Sequence, residues 1–104
     1  MERIDIHNIE EKSREIIKND FFTVKYLYFD AGKSLLSQTE QAMALIQVIE
    51  GTITFVYEKE GKSFLMPQNT ILEFDAREPY SIIAHQNSKI LIITTNNIMI
   101  WQQK

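Results

Sequence analysis

The sequence predicts a single all-β domain, an antiparallel barrel or sandwich built from short strands. Segments rich in β-branched and aromatic residues recur along the chain, and turn signals separate them roughly every 8–12 residues. Only three glycines and two prolines interrupt these segments. The 104 residues are enough for one hydrophobic core and too few for two. These observations together favour one β domain over alternating strands and helices.

The composition is that of an ordinary folded protein and argues against several classes of function. The formal net charge is −3 and the lysines and arginines are scattered, so we expect no nucleic-acid partner. The chain has no cysteine, which excludes disulfides, thiolate metal sites and cysteine nucleophiles. The first residues lack the apolar centre of a signal peptide, and the longest apolar run, residues 90–93, is too short to span a bilayer. We therefore expect a cytoplasmic protein without membrane contact.

The first twenty residues are expected to form a short segment that precedes the barrel. Asn8 and Glu11 have the spacing of a capping box, which predicts a helical turn over about residues 9–13. Residues 14–18 fit either a continuation of that helix or a strand that turns at residues 19–20. We favour the strand, because the sequence that follows the turn is strongly β.

From residue 21 to residue 104 the chain is a succession of predicted strands. In the first, residues 21–29, alternation places Phe22, Val24, Tyr26 and Tyr28 on one side. The pattern predicts further strands at residues 42–50, 52–58, 62–66, 70–74, 79–84, 89–95 and 98–101.

Two of these predicted strands, residues 42–49 and 89–93, are apolar on both faces. A sheet with one face in water alternates more regularly, so something must cover the second face. A second sheet, a second subunit or both would do so. The apolar terminal strand at residues 98–101 also needs cover, and this makes a homodimer the preferred assembly.

The spacing of Gly32 and Gly51 resembles the first conserved motif of the cupin family, and residues 48–51 resemble its turn into the next strand. On this alignment the metal-ligand positions of the first motif fall on Gln38, Glu40 and Ala44, and that of the second motif falls on Tyr80. The likeness extends from about residue 26 to residue 94. The sequence therefore resembles a small single-domain cupin of the RmlC-like kind, which implies a cupin-type antiparallel β-barrel or jelly roll.

The residues at those four positions change what the resemblance implies about chemistry. Typical cupins hold a divalent transition metal with three histidines and one glutamate. Gln38 offers a neutral amide oxygen, Ala44 offers no donor, and Tyr80 keeps its proton near neutral pH, since a phenol titrates near ~10. Glu40 is the one remaining carboxylate, which does not make a transition-metal site. We therefore expect no metal, no other cofactor and no metal-dependent oxygenase or isomerase activity.

Other candidate residues carry less weight. His7 precedes the barrel, and His85 lies in a polar turn where a solvated side chain is the commoner case. Arg77 could reach an anionic ligand, but a loop arginine is more often exposed. Four residues that could line an apolar pocket are more simply explained as core: Met43, Phe55, Tyr57 and Met66.

Three functions stay open at this point. The leading one is metal-free binding or sensing of an unidentified small molecule inside the barrel. The second is a metal-independent isomerase or lyase that acts on a sugar or small acid, with Tyr80 and Glu40 as acid and base. The third is a structural or interaction homodimer whose barrel is filled by side chains. The interior positions expected to contact a ligand are Gln38, Glu40, Ala44, Ile46, Tyr80 and Ile82.

Overall fold

The chain folds into two antiparallel β-sheets that pack face to face, described here from a computed structural model over residues 2–95. No helix in this range is long and apolar enough to cross a membrane. The regular elements of this range are a short 3-10 helix at Ile6–Asn8 and the strands β1 (Ser13–Lys18), β2 (Phe22–Phe29), β3 (Ser34–Gln38), β4 (Met43–Glu50), β5 (Thr52–Tyr57), β6 (Lys62–Pro67), β7 (Ile71–Asp75), β8 (Tyr80–Ala84) and β9 (Ser88–Thr95).

The chain crosses repeatedly from one sheet to the other. The larger sheet has the strand order β1-β2-β9-β4-β7, and the smaller has the order β3-β8-β5-β6. Every neighbouring pair is antiparallel. Two such sheets, with sequential strands exchanged between them, form a jelly roll. The predicted all-β antiparallel architecture is confirmed.

The inner faces of the two sheets form the main hydrophobic core. Alternation along β4 buries Ala44, Ile46 and Val48, while the residues between them are only partly buried. The inward side chains of β5 and β8 pack on them from the smaller sheet. Those of β9 lie beside them in the larger sheet, because β9 pairs with β4. Burial of this apolar surface is the main favourable contribution to folding.

Aromatic rings fill the centre of this core. The Phe55 ring lies 4.6 Å from that of Phe74 and stacks on that of Tyr80 at 5.6 Å, measured between centroids. Phe74 and Tyr80 meet edge to face at 4.9 Å. Aromatic pairs in this range of distances add specific geometry to a large buried area. We call these three residues the aromatic cluster.

The N-terminal segment contributes a strand to the larger sheet. β1 pairs with β2, so the strand favoured for residues 14–18 is confirmed. The helical turn lies at Ile6–Asn8, about one turn before the predicted position at residues 9–13. The reason is that the Asp5 carboxylate accepts a hydrogen bond from the His7 backbone N–H at 3.0 Å and caps the turn there.

The outer face of the larger sheet is partly covered by the chain itself. Ile4, Ile6 and Ile9 pack against a second cluster that contains Val24 and Tyr26 of β2. The chain's own first residues thus cover part of the second apolar face that the sequence predicts. The homodimer stays a prediction, and the strand predicted at residues 98–101 lies outside the described residues.

The sequence pattern does not predict β3, because its residues are mostly polar and exposed. The strand also contains an irregularity, since the register with β8 shifts between Leu35 and Gln38. Ser37 lies within the shift and has a positive φ of 51°. Its backbone N–H donates to Ser81 Oγ at 2.9 Å. A bulge of this kind redirects the side chain that follows it.

Gly51 joins β4 to β5 at a place where no side chain fits. Its φ is +87°, and a Cβ built there would lie 2.3 Å from Ser88 Oγ and 2.8 Å from Ser88 Cα. A glycine is therefore required here for two reasons: the backbone is left-handed, and the start of β9 lies too close for a side chain. Gly61, by contrast, has a φ of +65° with nothing near its hypothetical Cβ.

We predict that Gly51→Ala lowers the free energy of unfolding by roughly 3 kcal/mol, because strained backbone and a steric clash add together. Gly61→Ala carries only the backbone contribution, roughly 1 kcal/mol. Urea denaturation of both variants and the native protein measures the difference. Equal losses in the two variants would contradict the close approach at Gly51.

Candidate functional site

The candidate site is a cavity of about 270 Å³ that opens between the two sheets. We call it the mouth cavity. Its wall has an apolar part and a polar part. The apolar part consists of Leu27, Leu35 and Ile92, and the polar part of Ser13, Lys25, Gln38, Thr39, Glu40 and Tyr80.

The strand pattern explains how these side chains reach the cavity. Along β2, Lys25 shares a face with Leu27 and Phe29, and the latter two pack on the main core. The bulge in β3 brings Gln38 opposite Tyr80 in the strand register. Glu40 lies in the β3–β4 connection, where its backbone N–H donates to the Ala76 carbonyl at 2.7 Å.

The structure brings three of the six predicted site residues together at this cavity. Gln38, Glu40 and Tyr80 all line it. The other three, Ala44, Ile46 and Ile82, are buried side chains of the main core.

Lys25 is a site residue that the sequence reasoning missed. Its Nζ lies 3.0 Å from Glu40 Oε1, and the two side chains are 41% and 26% exposed. A signal was present in the sequence, because alternation puts this charged residue on the same side of β2 as Leu27 and Phe29. A partly exposed pair of this kind contributes roughly 0.2–1 kcal/mol, so an incoming group can open it at small cost.

The same ion pair borders a second depression of about 270 Å³. Glu15 and Lys18 of β1 lie on its wall, together with Lys25 and Glu40. The two concave regions therefore share the ion pair. Together their walls carry two lysines and two glutamates, so the formal charges of these side chains cancel.

The hydroxyl of Tyr80 is the unusual group of the site. The residue is only 2% exposed, and its hydroxyl makes no hydrogen bond to any residue between 2 and 95. Every fully buried side-chain polar atom in that range has a partner, so this hydroxyl must keep access to the cavity. Burial, and then the nearby Glu40 carboxylate, raise the pKa of Tyr80 above its ordinary value. At neutral pH the group is a hydrogen-bond donor without an acceptor among residues 2–95.

The residues at the cavity do not fit a transition metal. Among residues 2–95, Glu40 is the single carboxylate of the cavity wall, and it is held by the Lys25 ammonium, whose charge opposes a cation. Tyr80 keeps its proton, and an amide oxygen from Gln38 is a weak ligand for such an ion. Across residues 2–95 no three histidine, aspartate or glutamate side chains come together as a metal site.

The two histidines and Arg77 lie away from the mouth cavity. His85 Nε2 is 2.6 Å from Thr54 Oγ1 in an exposed position, and His7 Nδ1 is 4.0 Å from Glu50. Arg77 binds the Asp75 carboxylate through both Nε and Nη2, at 2.9 and 2.7 Å. That pairing lowers the pKa of Asp75 and occupies the guanidinium.

Two tyrosines allow a direct test of the free hydroxyl. Tyr57 Oη donates to the Asp75 carbonyl at 2.7 Å, whereas Tyr80 Oη has no such bond within the described residues. We predict that Tyr57→Phe lowers the free energy of unfolding by about 1 kcal/mol, the usual net contribution of a neutral hydrogen bond. Tyr80→Phe should stay within about 0.5 kcal/mol of the native protein, because it removes no hydrogen bond to the part of the chain that the structure describes.

Equilibrium denaturation of the two variants provides the comparison. If Tyr80→Phe loses as much stability as Tyr57→Phe, the Tyr80 hydroxyl has an internal acceptor and is not free for a ligand.

Comparison with solved structures shows where this architecture occurs. The sequence itself matches no protein-family model and no curated protein. An RmlC-like cupin protein from Desulfovibrio desulfuricans superposes with a TM-score of 0.83 at 17% identity, over 92% of this chain and 97% of that one.

Two similar structures have a named role or gene product. The polyketide cyclase RemF from Streptomyces resistomycificus gives a TM-score of 0.76 at 16% identity, over 93% of this chain and 80% of that one. KdgF from Halomonas sp. gives 0.73 at 13% identity, over 82% and 79%. At these identities the likeness concerns the fold. The chain has the fold of a small RmlC-like cupin domain.

Proposed function

We propose that this protein binds a small organic molecule in the mouth cavity and does so without a metal. The observation that carries the proposal is the Tyr80 hydroxyl, a donor on a buried residue with no acceptor among residues 2–95. Buried polar groups in folded proteins are nearly always hydrogen-bonded. An acceptor atom on a bound molecule would give the Tyr80 hydroxyl a hydrogen-bond partner.

The cavity has the mixed wall that is typical of small-molecule sites. Leu27, Leu35 and Ile92 provide apolar contact, while Gln38 and Thr39 add polar groups. Such sites combine a mostly apolar lining with a few placed polar groups that orient the ligand. The volume of about 270 Å³ suits a small ligand.

The aromatic cluster limits where a ligand can be placed. Phe55 and Tyr80 are almost fully buried and Phe74 packs on both, so side chains occupy the centre of the barrel. The filled-barrel alternative therefore fits the centre of the molecule, whereas the mouth stays open. This combination favours binding at the edge of the core.

A metal-independent enzyme is the second candidate. Tyr80 and Glu40 line one cavity, and the Glu40 charge acts on Tyr80, as an acid and base pair requires. One similar structure, RemF, is a polyketide cyclase, although the fold alone assigns no function. Binding is the better supported reading, because Lys25 neutralises Glu40 and the raised pKa of Tyr80 makes proton transfer from it difficult.

The binding proposal is tested by a fragment screen monitored through the NMR signals of methyl groups. We expect bound fragments to shift the methyl resonances of Leu27, Leu35 and Ile92 together. Leu35→Trp should fill the cavity and weaken binding at least tenfold, a loss of about 1.4 kcal/mol.

Leu36→Trp is the matched control, because Leu36 is the next residue of β3 and is 64% exposed. It should leave fragment affinity unchanged. The proposal is wrong if no fragment shifts the three methyl signals, or if both tryptophan variants weaken binding equally.

A further inference from the structure

Building on the proposed function, we propose that the ligand of the mouth cavity is a small zwitterion, with a carboxylate and an ammonium group on an aliphatic body. An α-amino acid with a branched side chain is the simplest member of this class. The feature that points to it is the Lys25–Glu40 ion pair on the cavity wall.

Charge balance at this pair selects among ligand classes. Lys25 Nζ and Glu40 Oε1 are 3.0 Å apart, so a charged ligand that binds one of them competes with the other for that contact. An anion bound at Lys25 would leave the Glu40 carboxylate unpaired beside it. A cation bound at Glu40 would leave Lys25 unpaired in the same way. A zwitterion replaces both partners at once and leaves no charge without a counter-charge.

The neighbouring charges do not favour one sign over the other. The adjacent depression adds one glutamate, Glu15, and one lysine, Lys18. A site for a simple anion or cation is normally surrounded by an excess of the opposite charge. The balance here is what a ligand with no net charge requires.

The remaining wall matches the other parts of such a ligand. The Tyr80 hydroxyl lies on the cavity wall, where it can donate a hydrogen bond to a carboxylate or accept one from an ammonium group. Opposite charge places the ligand's carboxylate toward Lys25 and its ammonium group toward Glu40, with the Tyr80 hydroxyl on the same wall. The aliphatic body would then contact the apolar side chains of the cavity, Leu27, Leu35 and Ile92.

Four probes with nearly the same branched body separate the charge classes: leucine, 4-methylpentanoate, 3-methylbutylamine and 3-methylbutanol. Each is titrated into the native protein while the methyl signals of Leu27, Leu35 and Ile92 are followed. We expect leucine to bind at least tenfold more tightly than any of the other three.

The outcomes distinguish this inference from the proposed function. If the carboxylate, the amine or the alcohol binds as tightly as leucine, the zwitterion is ruled out while binding in the cavity stands. If none of the four shifts the cavity signals, the zwitterion is also ruled out, and the fragment screen alone then decides the proposed function.

The role of the ion pair is tested by variants that change which of the charged probes binds most tightly. Glu40→Gln keeps the size of the side chain and removes its charge, which frees Lys25 for an anion. It should weaken leucine at least tenfold and strengthen 4-methylpentanoate, so that the order of affinities reverses. Lys25→Met should weaken both of these probes and strengthen 3-methylbutylamine.

Glu60→Gln is the control, because Glu60 is an exposed residue between β5 and β6 and lines neither the mouth cavity nor the adjacent depression. It should change none of the affinities by more than twofold. If Glu40→Gln weakens leucine and 4-methylpentanoate by the same factor, Glu40 has a merely structural role and the inference is wrong.

Discussion

The packing of three aromatic rings between the two sheets is the constraint on which the rest of this structure depends. Phe55, Phe74 and Tyr80 fill the middle of the barrel at centroid distances of 4.6 to 5.6 Å. They hold the inner faces of the sheets together and leave no room for a ligand among themselves. The same packing holds the Tyr80 ring, so its hydroxyl is presented to the mouth cavity from a fixed position. Core and site are therefore parts of one arrangement.

Strand β2 contributes residues to the second cluster, to the main core and to the wall of the mouth cavity. Its outer residues Val24 and Tyr26 are covered by the N-terminal segment, while its inner residues Leu27 and Phe29 pack on the main core. Lys25 lies on the inner side as well, at the point where the core gives way to the cavity. A charge is tolerated there because Glu40 from the β3–β4 connection neutralises it. The ion pair thus depends on the strand register and on the loop together.

Much of the fold follows from local patterns in the sequence, and part of the site does. Alternation and turn residues predict most strands, the spacing of Gly32 and Gly51 points to Gln38 and Glu40, and the position of the second cupin motif points to Tyr80. Strand β3 is not predictable in this way, because its pairing depends on a bulge at Ser37 and on a hydrogen bond from the Ser37 backbone N–H to Ser81 Oγ, 44 residues away. The partner of Lys25 is likewise set by the tertiary structure. The aromatic cluster joins β5, β7 and β8, and no periodicity within one strand reveals that contact.

In this structure the aromatic cluster closes the centre of the barrel, and the Tyr80 hydroxyl faces the mouth cavity. A crystal structure at atomic resolution, inspected for ordered solvent, tests this most directly. We expect a water or small solute within hydrogen-bond distance of Tyr80 Oη, and no solvent between the rings of Phe55 and Phe74. Solvent running through the aromatic cluster, or a protein acceptor bound to Tyr80 Oη, would contradict it.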